Sequence, residues 1–281
     1  MEIWVLLVIL YGILKGLRDL FKKKALEKSE VMEVLFFFSL LAFLFVTPSA
    51  KEAFKLDMSY IGFIALKTFF VFSAWICGFR AIKKIPVSLY GVLDLSGVLF
   101  STFMGVGLLN ESLSVNQIIG LCIVLIGLFL VNYQKNETGE KAKPKYVIMA
   151  VLSCVLNASS GVMDKVLMQH MESAQLQFWF MFLMLVFYGL YIIVTRTKIS
   201  LKSVYKNYWI LLIALTLVIG DRALFYANAA EGSSVSAMTL IKQSACFITI
   251  LGGRFIFKEE NILKRLLCAA LILFGIFISV I

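Results

Sequence analysis

Two stretches of the sequence, LNESLSVNQIIGLCIVLIGLFLV at residues 109–131 and FKEENILKRLLCAALILFGIFIS at residues 257–279, begin 148 residues apart and share one plan. In each, a glutamate (Glu111 or Glu259) lies in a short polar turn, and a long apolar run follows it. Each run approaches the roughly 20 apolar residues that an α-helix needs to cross the hydrocarbon core of a bilayer. The runs do not alternate with polar residues, which excludes barrel strands. Both stretches therefore predict membrane-spanning helices.

The same offset of 148 residues relates a longer part of the chain to itself without a gap. The identical positions are Ala81, Val87, Ser88, Ser96, Gly105, Glu111, Leu125, Gly127 and Phe129 in the first copy, and Ala229, Val235, Ser236, Ser244, Gly253, Glu259, Leu273, Gly275 and Phe277 in the second. We therefore predict two halves of five spans each. Because five is odd, the halves enter the membrane from opposite sides, and such inverted repeats place a binding site between them near mid-membrane.

The composition of the chain agrees with this prediction. Of 281 residues, 61% are hydrophobic and 16% are charged, with a mean hydropathy of +0.93. Soluble domains have about 45–50% apolar and about 25% charged residues, so a soluble domain is excluded. We predict an all-α integral membrane protein with ten transmembrane helices as two inverted five-helix repeats, residues 1–133 and 146–281, joined by a polar linker at 134–145. The predicted spans are 3–20, 31–48, 58–79, 86–109, 115–133, 146–168, 175–195, 208–229, 234–257 and 262–280.

The net charge of +10 comes from basic residues between the predicted spans. They cluster in every second connection, for example at Lys22–Lys24, at Lys83–Lys84 and between residues 196 and 206, whereas the other connections hold only Lys51 and Lys55. Cytoplasmic connections carry the excess of Lys and Arg. We therefore predict a multi-pass protein of the plasma membrane with both termini outside, and no nucleic-acid partner.

The sequence resembles the EamA family of the drug/metabolite transporter superfamily. The resemblance lies in the two stretches quoted above and in the serine-bearing fourth span of each half, and it covers nearly the whole chain. The family motif Gln-x-x-Gly is present at 117–120, whereas Arg265 and Cys268 stand at the matching positions of the second half. The resemblance implies a transporter, since members of the family export amino acids, other metabolites and drugs.

Ionisable side chains inside the predicted spans are the best candidates for function. Each costs about 2.5–3.5 kcal/mol on insertion scales near the bilayer centre, so it must face protein, water or a partner. They are Lys15, Lys67, Asp94, Asp164, Lys165, Asp221, Arg222 and Lys242. Five cations against three anions predict a substrate that carries a carboxylate or a phosphate.

Asp94 and Lys242 lie 148 residues apart and are therefore equivalent positions of the two halves. We expect them to face each other as an ion pair that acts as a gate or contacts the substrate. A permanent structural ion pair is the alternative interpretation.

Lys67 is the only charge within its apolar stretch, and we expect it to face a cavity and meet an anionic substrate group. Trp75, about two helical turns further on, lies on a similar face and is a second cavity candidate. Lys15 is a third. Arg18 and Asp19 are instead expected to reach the lipid headgroups, because a basic run follows them closely.

Asp164 and Asp221 are candidates of the sixth and eighth spans. Asp164 follows a stretch of small and polar residues that suits close helix contact or a water-filled path. Asp221 precedes Tyr226, which could line the same path. An interhelical ion pair is the alternative for each aspartate.

Enzyme chemistry is not indicated. His170 is the only histidine, which excludes di-histidine metal sites, and neither a GxSxG nor a P-loop motif is present. We expect no cofactor and no metal. The prediction is a secondary transporter, an exporter, of a small amino-acid-like or otherwise carboxylate-bearing metabolite, and proton coupling through Asp94 or Asp164 is a further hypothesis. The alternative is a flippase of a lipid-linked or phosphorylated amphiphile, which a lateral opening between helices would favour.

Overall fold

The protein is described by a computed structural model that covers residues 3–109, 114–132, 142–201, 205–229, 238 and 241–280. Regular structure in these ranges is helical throughout. Glu111, most of the predicted linker and the start of the ninth predicted span lie outside the described residues, as does the side chain of Lys165.

Long helices coincide with the predicted spans. They are α1 (Ile3–Lys28), α2 (Val31–Val46), α3 (Ile61–Lys84), α4 (Val87–Asp94), α5 (Gly97–Leu109), α6 (Val115–Asn132), α7 (Pro144–Leu167), α8 (Ser173–Thr195), α9 (Trp209–Ala229), α10 (Ala245–Phe257) and α11 (Ile262–Val280). Short helical turns at Thr47–Ser49, Ala50–Ala53 and Met58–Tyr60 join α2 to α3. Two bounds differ from the prediction: α1 continues well beyond residue 20, and the fourth span is divided into α4 and α5.

The helices begin where the sequence offers suitable capping groups. At the start of α2, Glu30 and Glu33 form a capping box, in which each side chain accepts from a backbone N–H of the first turn. Pro86 precedes α4 and Pro144 opens α7, positions where a missing N–H costs no hydrogen bond.

Five helical stretches of the described residues are long and apolar enough to cross a membrane: Val31–Ala53, Met58–Lys84, Pro144–Asp164, Ser173–Thr195 and Ile262–Ser279. Shorter apolar helices cover Val87–Thr102, Val115–Val131 and Ala245–Phe257. Large apolar side chains lie exposed on many of these helices, including Phe69, Phe129 and Ile193. An apolar exterior of this kind needs lipid around it, so the fold is that of a multi-pass membrane protein.

The fourth and ninth predicted spans each contain a hydrogen bond between residues three apart, and the two bonds lie at equivalent positions of the repeat. Between α4 and α5, the Ser96 N–H donates to the Leu93 carbonyl at 3.0 Å. Before α10, the Ser244 N–H donates to the Ile241 carbonyl at 3.0 Å, 148 residues later. These bonds join residues three apart, as in a 3₁₀ turn, which inside a longer helix often marks a functional hinge. The predicted span 86–109 is therefore helical with a short turn at Leu95–Ser96.

The helix contacts between the halves come in equivalent pairs: a contact between two helices recurs between the helices at the same places in the other half. The contact of α1 with α9 corresponds to that of α7 with α3, and α1 packs on α10 as α7 packs on α5. In the same way, α2 packs on α9 as α8 packs on α3. Exchanging the halves turns the pair α2–α8 into itself, and the same is true of the pair α6–α11. Each half therefore offers the other the same set of surfaces.

The two self-corresponding pairs are antiparallel. In α2 and α8, the Phe43 ring packs against the Phe178 ring, whereas the earlier residue Phe36 lies beside the later residue Gly189. In α6 and α11, a Cβ on Gly120 would collide with the Gly275 carbonyl, whereas the later residue Gly127 faces the earlier residue Ile272. Only glycine permits the two backbones to come this close.

Candidate substrate-binding site

Two cavities lie between the helices in the interior of the bundle. Cavity A has a volume of about 250 Å³ and cavity B about 220 Å³. They share a wall formed by Tyr11, Arg18, Trp75 and Asn157. Along α3, cavity A is lined from Lys67 to Trp75 and cavity B from Trp75 to Phe79, so the two cavities follow each other along the helix axes.

Cavity A contains the ion pair of Lys67 on α3 and Asp164 on α7. Lys67 Nζ lies 2.5 Å from Asp164 Oδ1 and 4.2 Å from the centre of the Phe180 ring. The lysine side chain is 7% exposed, whereas the aspartate side chain is 40% exposed. Lys67 thus lines a cavity as predicted, but its ammonium group already forms an ion pair with the Asp164 carboxylate. Trp75 lies in the wall of the same cavity, where it was expected.

The second charged pair of cavity A is looser. Arg18 Nη1 on α1 lies 3.8 Å from Asp221 Oδ1 on α9, which is too far for a hydrogen bond. Arg18 is 8% exposed, and its Nη1 has no hydrogen-bond partner among the described residues. A buried guanidinium nitrogen without a partner is costly. It is therefore the group in the site best prepared to receive an anion.

The expectation that Arg18 and Asp19 reach the lipid headgroups was wrong. Both residues are buried, and the Asp19 carboxylate accepts from Lys22 at 2.8 Å. The cause is the length of α1, which continues to Lys28 and moves the basic end of the helix outward by about two turns. Arg18 consequently lies in the interior, in the wall between the two cavities.

Cavity B is more polar, and its central ion pair joins Lys15 Nζ and Asp94 Oδ2 at 2.8 Å. The prediction that Asp94 pairs with Lys242 was wrong, because α1 supplies the partner instead. Lys242 packs near Gly12 of α1, forms no ion pair with the described residues and lines neither cavity. Asp94 and Lys242 are therefore equivalent positions of the repeat without forming an ion pair.

Most of the predicted site residues lie at the two cavities. Those in a cavity wall are Lys15, Lys67, Trp75, Asp94, Asp164 and Asp221. Tyr226 is 67% exposed and lies in neither wall. Sequence reasoning missed Arg18 and Asn157 and did not select Tyr11. The signal that could have found Arg18 is its position one helical turn after Lys15 on the same face.

The four charges of cavity A lie on equivalent helices of the two halves. Exchanging the halves replaces α1 by α7 and α9 by α3, so the Arg18–Asp221 pair and the Asp164–Lys67 pair join corresponding helices, although the charged positions themselves are not 148 residues apart. Two cations and two anions leave the cavity electrically balanced, and the surplus of positive charge expected from the sequence is absent from its described wall. Among the described residues of this wall, Arg18 Nη1 and Gln177 Nε2 are buried donors without a hydrogen-bond partner.

An apolar helical bundle with charged, polar cavities between its halves has the architecture of a membrane transporter. The EamA-like transporter family matches residues 2–133 and 144–281, and the chain belongs to this family. It is thus a membrane transporter of the drug/metabolite transporter superfamily, and the resemblance seen in the sequence is confirmed.

Two other comparisons bear on the fold. A comparison with curated protein sequences found no match. A solved structure, described only as a crystal structure of a protein, superposes with a TM-score of 0.60 at 15% identity over 95% of this chain and 96% of that chain. At this level of identity the likeness concerns the fold alone.

Proposed function

We propose that this protein transports a small, carboxylate-bearing, amino-acid-like metabolite by alternating access. The observation that carries the proposal is Arg18, a nine-tenths buried guanidinium with a free nitrogen in the wall that both cavities share. A carboxylate matches the planar donor geometry of arginine and relieves the cost of its unpaired nitrogen. Asp164 or Asp221 could receive the ammonium group of the same substrate.

The proposed mechanism includes ten membrane spans and an inverted repeat of residues 1–133 and 146–281. The antiparallel α2–α8 and α6–α11 pairs support the inversion, since equivalent helices of inverted halves run in opposite directions. The equivalent hydrogen bonds near Ser96 and Ser244 support the repeat. In this mechanism the shared wall of Tyr11, Trp75 and Asn157 divides the path, and rocking of the halves opens each cavity in turn.

Export across the plasma membrane, with both termini outside, remains the proposed direction and orientation. The orientation is supported by the basic end of the bundle, which carries Lys22–Lys24 and Lys83–Lys84. Coupling to protons through Asp94 or Asp164 is part of the same proposal. Both aspartates line a cavity and are paired to a lysine that a proton could release.

A flippase of an amphiphile is the second candidate, and one observation favours it. An apolar groove of about 500 Å³ lies between α3 and α7, and its wall includes Leu66 and Met163. Their sequence neighbours Lys67 and Asp164 line cavity A, so the ion pair stands between an apolar groove and a polar cavity. A head group in the cavity and a chain in the groove would use both.

Thermal-shift measurements on the purified full chain test the two candidates. Neutral amino acids should raise the melting temperature, whereas their decarboxylated amines should not, because a ligand that binds the folded form stabilises it. Arg18→Met should abolish the rise. Arg80→Met is the matched control, since Arg80 is exposed and lines neither cavity, and it should keep the rise.

Three outcomes separate the candidates. A rise with carboxylates that depends on Arg18 supports the carrier, and uptake of the same compounds into proteoliposomes should then also depend on Arg18. A rise that persists in Arg18→Met contradicts the proposed site. A rise only with phosphorylated or lipid-linked amphiphiles replaces the carrier with the flippase.

A further inference from the structure

The turn between α3 and α4, defined here as residues 82–88 so that it includes the two helix ends that it joins, is held from both sides by charged side chains. From α1, Lys23 Nζ donates to the carbonyls of Ile82 and Ile85, each at 2.7 Å. From the turn between α10 and α11, the Glu259 carboxylate accepts from the backbone N–H of Val87 at 2.6 Å and of Ser88 at 3.1 Å. The Ser88 hydroxyl also donates to Glu259. One short turn is thus fixed through both its carbonyls and its N–H groups.

This arrangement is buried, and the chain leaves room for it. Glu259 is 6% exposed and Ser88 is fully buried. A Cβ on Gly253 would lie 2.8 Å from Glu259 Oε2 and 3.2 Å from Ser88 Cβ, so the glycine makes space for the carboxylate. Glu259 belongs to the second half of the chain and the turn that it binds belongs to the first half. The contact therefore ties the two halves together at the basic end of the bundle.

The turn joins two helices that line cavity B. The residues just before it, Gly78 and Phe79, and those just after it, Tyr90 and Asp94, line that cavity. Lys22, the neighbour of Lys23, lines it as well. Separation of the turn from Glu259 would therefore open cavity B toward the basic end.

The contact can break without leaving the carboxylate alone. Arg265 Nη1 lies 3.0 Å from Glu259 Oε2, is 2% exposed and belongs to the same half as Glu259. If the halves part here, Glu259 keeps this partner and loses the donors of the first half, while Arg265 loses the Ser88 hydroxyl, to which its Nη1 also donates. The released N–H groups of Val87 and Ser88 are first-turn groups of α4, which water can satisfy as it enters the cavity.

We propose that the 82–88 turn is the gate of cavity B at the basic end, and that Glu259, aided by Lys23, is the latch that holds it closed in this structure. The inference rests on the alternating access proposed above. It assigns a mechanical role to the glutamate of the turn before the last helix, independent of the transported substrate.

The experiment measures access to cavity B from the basic side. Ser153, which lines cavity B, is changed to cysteine in a chain that carries Cys154→Ser, and membrane vesicles are treated on each side with an impermeant maleimide. Peptide mass spectrometry follows labelling at residue 153 without added substrate. Amide hydrogen exchange of the 82–90 segment is measured on the same proteins.

Glu259→Gln and Gly253→Ala should each speed labelling from the basic side. We expect about a tenfold increase or more, since each change weakens hydrogen bonds to a charged group that exist only when the gate is closed. Gly253→Ala keeps every charge and serves if Glu259→Gln does not fold, because its methyl group displaces the carboxylate. Glu260→Gln, the exposed neighbour in the same turn, is the matched control and should leave labelling unchanged.

The result that overturns the latch is a folded Gly253→Ala or Glu259→Gln protein whose labelling at residue 153 stays at the control rate. Faster amide exchange at 82–90 without faster labelling overturns it equally, since Glu259 would then only stabilise the helix end. Failure of carboxylates to bind at Arg18 would leave this labelling result intact. The two proposals can therefore fail separately.

Discussion

Replacing Asp164 by Asn should destabilise the fold more than replacing its partner Lys67 by Met. The reason is the unequal burial of the pair, 7% exposed for the lysine side chain and 40% for the aspartate side chain. In Asp164→Asn, the buried ammonium loses its counter-charge, and breaking a buried pair in this way costs about 3–5 kcal/mol. In Lys67→Met, the remaining carboxylate is open to the cavity and can be hydrated.

The magnitude follows from the surroundings of each group. The low end of that range, about 3 kcal/mol, applies to Asp164→Asn because one partner is partly exposed. The Phe180 ring lies 4.2 Å from Lys67 Nζ, and because the substitution leaves this contact in place it does not change the difference. A loss of about 3 kcal/mol corresponds to a drop in melting temperature of about 6–12 °C. Lys67→Met should lose less than about 1 kcal/mol, the worth of a solvated pair.

Thermal unfolding of the purified single variants and of the double variant, in one detergent and at one pH, measures these values. The double variant should recover most of the stability that Asp164→Asn loses, because no unpaired charge is left behind. A larger loss in Lys67→Met than in Asp164→Asn would refute the reasoning. So would a double variant whose loss equals the sum of the two single losses.

Two further predictions concern helix contact and pH. Gly120→Ala should lower stability by about 1–3 kcal/mol, because its methyl group would collide with the Gly275 carbonyl. Gly62→Ala is the control: its methyl group meets nothing within 4 Å, so it should not lower stability. Thermal unfolding of both variants measures the difference. The Lys83 ammonium, 2.8 Å from Glu30, donates a hydrogen bond that holds the pKa of this carboxyl below its ordinary value of 4.5. The pair therefore stabilises the fold above pH 4.5 and ceases to do so as the pH falls through the lower pKa of the folded state. The melting temperatures of the wild type and Lys83→Gln should therefore converge in acid. A difference between them that widens in acid would contradict the assignment.

The helices could be predicted from the sequence because their main signal is length. An apolar run of about 20 residues is helical in a membrane whatever surrounds it, since its backbone groups can be satisfied only within the helix. The interruption at Leu95–Ser96 could not be foreseen, because neither residue breaks a helix by itself. The continuation of α1 to Lys28, beyond the predicted span, could not be foreseen either, since Lys22–Lys24 is typical of a membrane boundary but does not end a helix.

Most of the site residues selected from the sequence lie in the cavity walls, but their pairing could not be predicted. Lys67 and Asp94 stand out because each is an ionisable side chain in an apolar run. The partner of each depends on which helices pack together and with what rotation, and chain spacing does not contain that information. The repeat suggested that Lys242 is the ion-pair partner of Asp94. In the structure the partner is Lys15 of α1.

The self-corresponding crossing of α6 and α11 has a consequence for how such a chain is assembled. The face of α6 that carries Gly120 and Gly127 meets the face of α11 that carries Cys268 and Gly275, and each face is the counterpart of the other. A single ancestral half with such a face would be self-complementary and would form a symmetric homodimer. Fusion of two copies then frees each face to diverge, as Arg265 has done by turning to Glu259 at the place where the first copy keeps a glutamine.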